Sequence, residues 1–170
     1  MTPDTAAYTF ATTSSAETFA LGKRLGQHLQ SGQVIALHGD LGAGKTVLTQ
    51  GIAVGLGIQA RVTSPTFTLV SEYQRANGDL LIHIDCYRLG SPTEEDGTLE
   101  ATFFGLDEIV ERTDAIVIIE WAERVAALLP QDYLDITLRY DTAAPDYRQI
   151  HCLAHGPASQ EVIAWLQQEG

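Results

Sequence analysis

Val34-Ile35-Ala36-Leu37-His38-Gly39-Asp40-Leu41-Gly42-Ala43-Gly44-Lys45-Thr46 is the stretch on which the reading of this chain turns. Four apolar residues, enough for a buried strand, run into Gly39-x-x-x-x-Gly44-Lys45-Thr46, and a helix-competent segment, Val47 to Val54, follows. Strand, glycine-rich loop and helix in that order predict a phosphate-cradling loop. Glycines at 39, 42 and 44 let the backbone curl with positive φ and aim successive N–H groups at phosphate oxygens. The helix N-terminus adds unpaired donors and the positive end of its dipole. Lys45 is then placed to reach the β- and γ-phosphates of a nucleoside triphosphate, and the Thr46 hydroxyl to ligate Mg²⁺.

The chain has 170 residues, 45% of them hydrophobic, which predicts one domain spanning residues 1–170 with a substantial core. A formal net charge of -12, with the ten Lys and Arg scattered, argues against a broad basic footprint for RNA or DNA. Contact with nucleic acid is expected only through a partner. Cys86 and Cys152 form no C-x-x-C pair, which suits a reduced cytoplasm and two buried structural thiols. Met1 to Tyr8 has no basic n-region or apolar h-region, and no apolar run approaches a bilayer span, so a soluble chain without membrane contact is expected.

Upstream of the loop, Tyr8-Thr9-Phe10-Ala11-Thr12 alternates as a short edge strand. Thr13, Ser14 and Ser15 offer N-cap hydroxyls to the next helix, and Glu17, three residues after Ser14, completes a capping box. Phe19, Leu21, Leu25, His28 and Leu29 recur at helical spacing until Gly32. Capping is the first task of these hydroxyls; bordering a base pocket, Ser15 included, is the second.

Downstream, Gly55-Leu56-Gly57 stops the helix that follows the loop. Pro65 excludes helix from Val62 to Val70 and biases Ser64 to an extended conformation, so this segment is expected to start as a loop and become a strand. Its hydroxyls, Ser64 and Thr66 among them, stand where many nucleotidases keep a γ-phosphate switch, although such clusters also make ordinary turns. Ser71 to Gln74 and Leu80 to Asp85 flank Asn77-Gly78, a hairpin signal that makes the sheet mixed. Ala115 to Glu120 is the most apolar run and the expected central strand. Asp85 and Glu120 both end strands, and carboxylates there face the ligand crevice of a doubly wound sheet. Asp85 is thus a site candidate, and Glu120 has the position of an acidic partner for Mg²⁺.

His83 shares the face of Asp85 and reads as a structural histidine, and Trp121 reads as core, covering the site being its other reading. Arg88 either offers charge to phosphate or pairs with Glu94, Glu95 or Asp96. Gly105 to Val110 looks like the tail of a short helix, and Ala122 to Leu129 like another, closed by Pro130. Tyr133 to Tyr140 and Tyr147 to Leu153 alternate as a second strand pair across a Pro/Asp loop, with Arg148 either on the surface or approaching the nucleotide from the far side. Ser159 to Gln168 closes the chain as an amphipathic helix with Val162, Ile163, Trp165 and Leu166 inward.

Five blocks carry a family resemblance. They are Gly39 to Thr46, Ser64 to Val70, His83-Ile84-Asp85-Cys86-Tyr87-Arg88-Leu89, Gly105-Leu106-Asp107-Glu108 and Ile119-Glu120-Trp121-Ala122-Glu123-Arg124. In this order and spacing the chain closely resembles the bacterial TsaE family, also called YjeE, ATPases required for making threonylcarbamoyladenosine in tRNA. The resemblance implies an α/β, P-loop NTPase-like three-layer fold with a mixed, mostly parallel central sheet. It implies ATP and Mg²⁺ as cofactors, Thr46 and Glu120 on the metal, Lys45 on the phosphates, Asp85 close to the γ-phosphate and Ser64 to Phe67 as a switch. It also implies a TsaB-TsaD heterodimer as partner, with tRNA met only indirectly and DNA not at all. Together with the residue reading, the expected nucleotide contacts are Ser15, Gly39, Asp40, Leu41, Gly42, Ala43, Gly44, Lys45, Thr46, Val47, Thr66 and Arg148, with Lys45, Asp85 and Glu120 catalytic.

ATP is preferred over GTP because no Asn-Lys-x-Asp guanine-reading motif occurs. Two other functions use the same loop. A small-molecule kinase needs an acceptor pocket and usually an arginine-rich lid, against which the thinly spread basic residues argue. A nucleotide-gated binding module would act through its bound state with little hydrolysis.

Overall fold

The apolar stretch before the glycine-rich loop is strand β2 (Val34–His38), and it lies inside a seven-stranded sheet. In the computed structural model, which describes residues 6–65, 68–90, 100–102 and 104–168, the other strands are β1 (Ala7–Thr12), β3 (Val70–Gln74), β4 (Leu80–Asp85), β5 (Ala115–Glu120), β6 (Leu134–Asp141) and β7 (Ala144–Ala154). Their order is β1-β7-β6-β2-β5-β4-β3. The three inner pairings, β6 with β2, β2 with β5 and β5 with β4, are parallel, and the three outer ones are antiparallel. The expected mixed sheet, parallel in its middle, is therefore present.

Parallel strands need cover on both faces, and the alternation of side chains provides it. Ile35, Leu37, Ile116 and Ile118 join one buried cluster, with residues of α1 (Ser15–His28), α2 (Lys45–Gly55) and α4 (Pro157–Gln168). Val34, Ala36, Val117 and Ile119 join the other, with Leu106 of the short α3 (Leu106–Ile109) and Val125 of a 3₁₀ segment, Ala122–Leu128. All six residues of β5 are buried, in agreement with its reading as the central strand. Burial of each such aliphatic side chain contributes roughly 2 kcal/mol.

The helices α1 and α2 pack backbone to backbone. A Cβ added at Gly22 would lie 2.4 Å from the Leu48 carbonyl oxygen, and one at Gly26 would lie 2.2 Å from that of Ile52. Reciprocally, a Cβ at Gly51 or Gly55 would lie 2.2 Å from the carbonyl oxygens of Phe19 and Lys23. Four glycines thus set the distance between the helix that carries Ser15 and the helix that carries Lys45.

Several local expectations shift. The helix after the loop begins at Lys45, two residues earlier than predicted. Ser14 caps α1 by accepting from the Glu17 N–H at 3.1 Å, but the Glu17 carboxylate reaches back to the N–H of Thr13, at 2.6 Å, so the box closes one residue upstream. Strand β3 begins only at Val70, because Leu69 adopts a left-handed conformation, φ +64°, that ends any extended run before it. Gly105 starts α3 as its left-handed N-cap, where the sequence suggested a helix tail. Pro145 and Asp146 lie inside β7, where a loop was expected: Asp141 already pairs with Ala144, with a register shift at Tyr140/Asp141. The Asn77-Gly78 hairpin forms as read, with Gly78 at φ +92°. Cys86 and Cys152 are buried free thiols. Among the described residues no helix is long and apolar enough to cross a membrane. The acidic stretch 91–99, and with it Glu94, Glu95 and Asp96, lies outside the described residues.

Candidate functional site

At Gly39 the chain leaves β2 with φ +140°, and a Cβ there would stand 2.5 Å from the Leu138 carbonyl oxygen, so β6 presses directly on the start of the loop. Gly44, φ +104°, is the N-cap of α2, and no side chain caps this helix. The first-turn donors are thus not consumed by the protein's own side chains, the condition a helix N-terminus needs to receive an anion. Lys45 is buried. Its ammonium donates to the carbonyl oxygens of Gly39 and Asp40, the latter at 3.1 Å, and lies 4.1 Å from the centre of the Trp121 ring. Burial lowers its pKa from the ordinary lysine value, against the charges of Glu120, Glu123, Asp85 and Asp40.

Opposite Lys45 stand the two strand-end carboxylates. The registers Leu37↔Glu120 and Asp85↔Glu120 bring β2, β5 and β4 to their carboxyl ends at one level. Glu120 is 3% exposed and Asp85 8%. The Thr46 hydroxyl donates to Glu120, 3.3 Å from Oε1 and 3.4 Å from Oε2. Asp85 accepts from Ser64 Oγ at 2.5 Å and from the Tyr87 N–H at 2.9 Å, and its own N–H donates to the Leu69 carbonyl oxygen. Asp85 therefore joins the segment around Ser64 to the end of β4. Two non-glycine residues with left-handed backbone, Leu69 and Trp121 (φ +57°), flank these carboxylates. Such conformations cost about 1–3 kcal/mol each and concentrate at functional sites.

These groups share one cavity of about 430 Å³, within the size range of small-molecule sites. Gly42, Gly44, Lys45, Thr46 and Val47 form its floor; Asp85, Glu120, Ser64, Tyr87 and Trp121 form one wall; Ser15, Thr18, Asp146 and Arg148 form the other, with Leu41 at the rim. Arg148 spends its donors on the loop itself: Nε on the Ala43 carbonyl oxygen at 2.9 Å and Nη2 on that of Gly42 at 3.2 Å, with Nη1 on Pro145 and Tyr147. Its guanidinium also stacks 5.0 Å from the Tyr140 ring.

Of the residues named from sequence, Ser15, Leu41, Gly42, Gly44, Lys45, Thr46, Val47, Asp85, Glu120 and Arg148 line the cavity. Gly39, Asp40 and Ala43 belong to the loop but not to the lining, and Ala43 is buried beneath it. Thr66 lies outside the described residues. Arg88 is exposed and off the cavity. Trp121 meets both of its readings: it is half-buried against the core cluster that holds Val34, Ala36 and Ile119, and it lines the cavity with its ring under Lys45. His83 is fully buried, as a structural histidine would be, yet its Nε2 stands 2.8 Å from Glu120 Oε1, which makes it part of the site. Thr18 and Asp146 went unnamed. Thr18 was legible as the residue one helical turn after Ser14 and Ser15; Asp146 was hidden by the expectation of a loop.

Among the described residues no cluster of three or more His, Cys, Asp and Glu could hold a metal ion by itself. The Thr46 hydroxyl and Glu120 carboxylate are hard oxygen donors, which suits a cation that completes its shell with phosphate and water oxygens, as Mg²⁺ does.

Comparison with known proteins gives the family and the fold. The family model for the Threonylcarbamoyl adenosine biosynthesis protein TsaE matches residues 12–150. The chain is 41% identical over 124 residues to the tRNA threonylcarbamoyladenosine biosynthesis protein TsaE of Mycobacterium bovis, covering 72% of this chain and 73% of that one. It is 39% identical over 146 residues to the Bacillus subtilis protein of the same name, covering 85% and 84%. The crystal structure of Bacillus subtilis YdiB superposes with a TM-score of 0.74 at 31% identity, over 97% of both chains.

Proposed function

Since this chain belongs to the TsaE family and to tRNA threonylcarbamoyladenosine biosynthesis, we propose that it is the ATP-hydrolysing subunit of that machinery, working with a TsaB-TsaD heterodimer. The observation that carries the reading is the convergence of Lys45, Thr46, Asp85 and Glu120 on one cavity at the carboxyl ends of three parallel strands.

In this reading the backbone N–H groups from Gly42 to Thr46 cradle the phosphates, and Lys45 leaves the loop carbonyls to neutralise charge on the β- and γ-phosphates. Thr46 and Glu120 would hold Mg²⁺, which when bound would neutralise charge developing on the phosphate oxygens. Asp85, fixed by Ser64 and the Tyr87 N–H, orients the attacking water for in-line displacement. Arg148, committed to loop carbonyls, holds the cradle's shape. Arg88, the candidate for a charge on the γ-phosphate, is exposed and off the cavity, so hydrolysis by the isolated chain is slow and assembly with the partner accelerates it. The chain's net charge of -12 agrees with a subunit that leaves tRNA to its partner.

The test is nucleotide affinity measured beside phosphate release, alone and with TsaB-TsaD. Asp85→Ala should keep ATP affinity within about threefold while turnover falls about 100-fold or more, the scale of losing a positioned acid-base group. Glu120→Ala should weaken the Mg²⁺ dependence of binding as well. tRNA modification sustained by a variant that binds but does not turn over would identify a nucleotide-gated module instead. Phosphate appearing on a metabolite and not in water would identify a kinase.

A further inference from the structure

His83 is wholly buried on β4, two residues before Asp85 and on the same face of the strand. Across the parallel pairing it stands opposite Ile118 while Asp85 stands opposite Glu120, so His83 and Glu120 are diagonal neighbours on one face. Side chains so placed reach one another when one of them is long. Nε2 of His83 lies 2.8 Å from Glu120 Oε1. The carboxylate oxygen accepts, so Nε2 carries the proton and donates. Nδ1 is buried and has no hydrogen-bond partner among the described residues. The imidazole is thus anchored on one side only, by Glu120.

The second group holding Glu120 is the Thr46 hydroxyl, nearly equidistant from its two oxygens at 3.3 and 3.4 Å, which is too even to select one orientation of the carboxylate. The 2.8 Å bond from His83 makes that selection. From this diagonal contact we propose that His83 is a positioning residue for the metal ligand Glu120: it fixes the carboxylate's rotamer so that its remaining lone pairs meet the cation beside Thr46. The inference rests on the assignment of Glu120 to Mg²⁺ made above. Outer partners of this kind orient metal ligands, and their loss typically weakens metal affinity by 10- to 100-fold.

Isosteric replacements separate positioning from packing. Glutamine places its amide nitrogen four bonds from Cα, as Nε2 is; asparagine places it three bonds away, as Nδ1 is. Calorimetric titration of Mg²⁺ into protein saturated with a non-hydrolysable ATP analogue gives the Mg²⁺ requirement. The same analogue titrated in EDTA gives the metal-free affinity. His83→Ala and His83→Asn should each raise the Mg²⁺ requirement about tenfold or more while metal-free affinity stays within about twofold, and His83→Gln should restore most of the loss. Wild-type Mg²⁺ dependence in His83→Asn, or equal loss of metal-free binding in all three variants, would overturn the assignment. Failure of the parent reading looks different, since the wild-type protein would then bind the analogue with no Mg²⁺ effect, and His83 would have no ligand to position. Should His83→Ala not fold, the glutamine–asparagine pair still decides.

Discussion

His38 ends β2 one residue before the glycine-rich loop, half-buried between two carboxylates. Nδ1 lies 3.1 Å from Glu123 Oε2, a hydrogen bond, and Nε2 lies 3.3 Å from Asp135 Oδ1, an ion-pair distance without hydrogen-bond alignment. Burial lowers the imidazole pKa, but the two carboxylates raise it further, to about 9. On Glu123 burial acts to raise the carboxyl pKa, and the bond from His38, a backbone hydrogen bond and the charges of His38 and Lys45 together outweigh it, leaving it lowered. His155 lies 3.8 Å from the other oxygen of Asp135 and stacks on Tyr133. Because the folded-state pKa of His38 is raised above the unfolded value of 6.5, its stabilisation is fully present below pH 6.5 and is lost as pH rises through about 9. A shift of this size corresponds to about 3 kcal/mol, cut to roughly 1–2 kcal/mol by the partial exposure of Glu123. Thermal melts of the wild-type protein and His38→Gln should therefore converge between pH 6.5 and 9. A constant gap across that range would show that the imidazole is not charged in the fold.

At the scale of elements, the contact between α1 and α2 makes the sharpest demand. An alanine in place of Gly26 or Gly51 would gain about 1 kcal/mol of helix propensity. Its Cβ would however stand 2.2 Å from a carbonyl oxygen of the facing helix, which side-chain rotation cannot relieve. Forcing the helices apart should cost a net ~2 kcal/mol or more, lowering Tm by about 4–8 °C or more in a chain of this size. ATP affinity should fall in the same variants, because α2 carries Lys45 and Thr46 into the cavity. A Tm unchanged in both variants would refute the close packing. These glycines also mark what the sequence left illegible. The spacing of 22, 26, 51 and 55 is helical, but only the fold brings the two pairs face to face. Strands β2, β4 and β5 were legible because their apolar runs end in chemistry: glycine loop, aspartate, glutamate. Leu69 and Trp121 were not, since no residue preference predicts a left-handed conformation in a large side chain; tertiary contacts impose it. His83 was legible as buried, but its partner was set by strand register, which one strand's sequence does not reveal.

For the molecule as a whole, the cavity is assembled from distant parts of the chain. One wall comes from α1 and β7, the other from the ends of β4 and β5, with the glycine loop between them, so that residues 15 and 148 share a wall and face residues 85 and 120. Occupying it therefore cross-links both termini of the fold to its middle through a single guest. By mass action, ligand at 100 times its dissociation constant should raise global stability by about 2.7 kcal/mol. Amide hydrogen exchange should slow in β1 and β7 as well as around the loop itself, and protection confined to the loop would contradict this. A nucleotide pool in the cell would then govern how long the chain survives proteolysis as well as what it does.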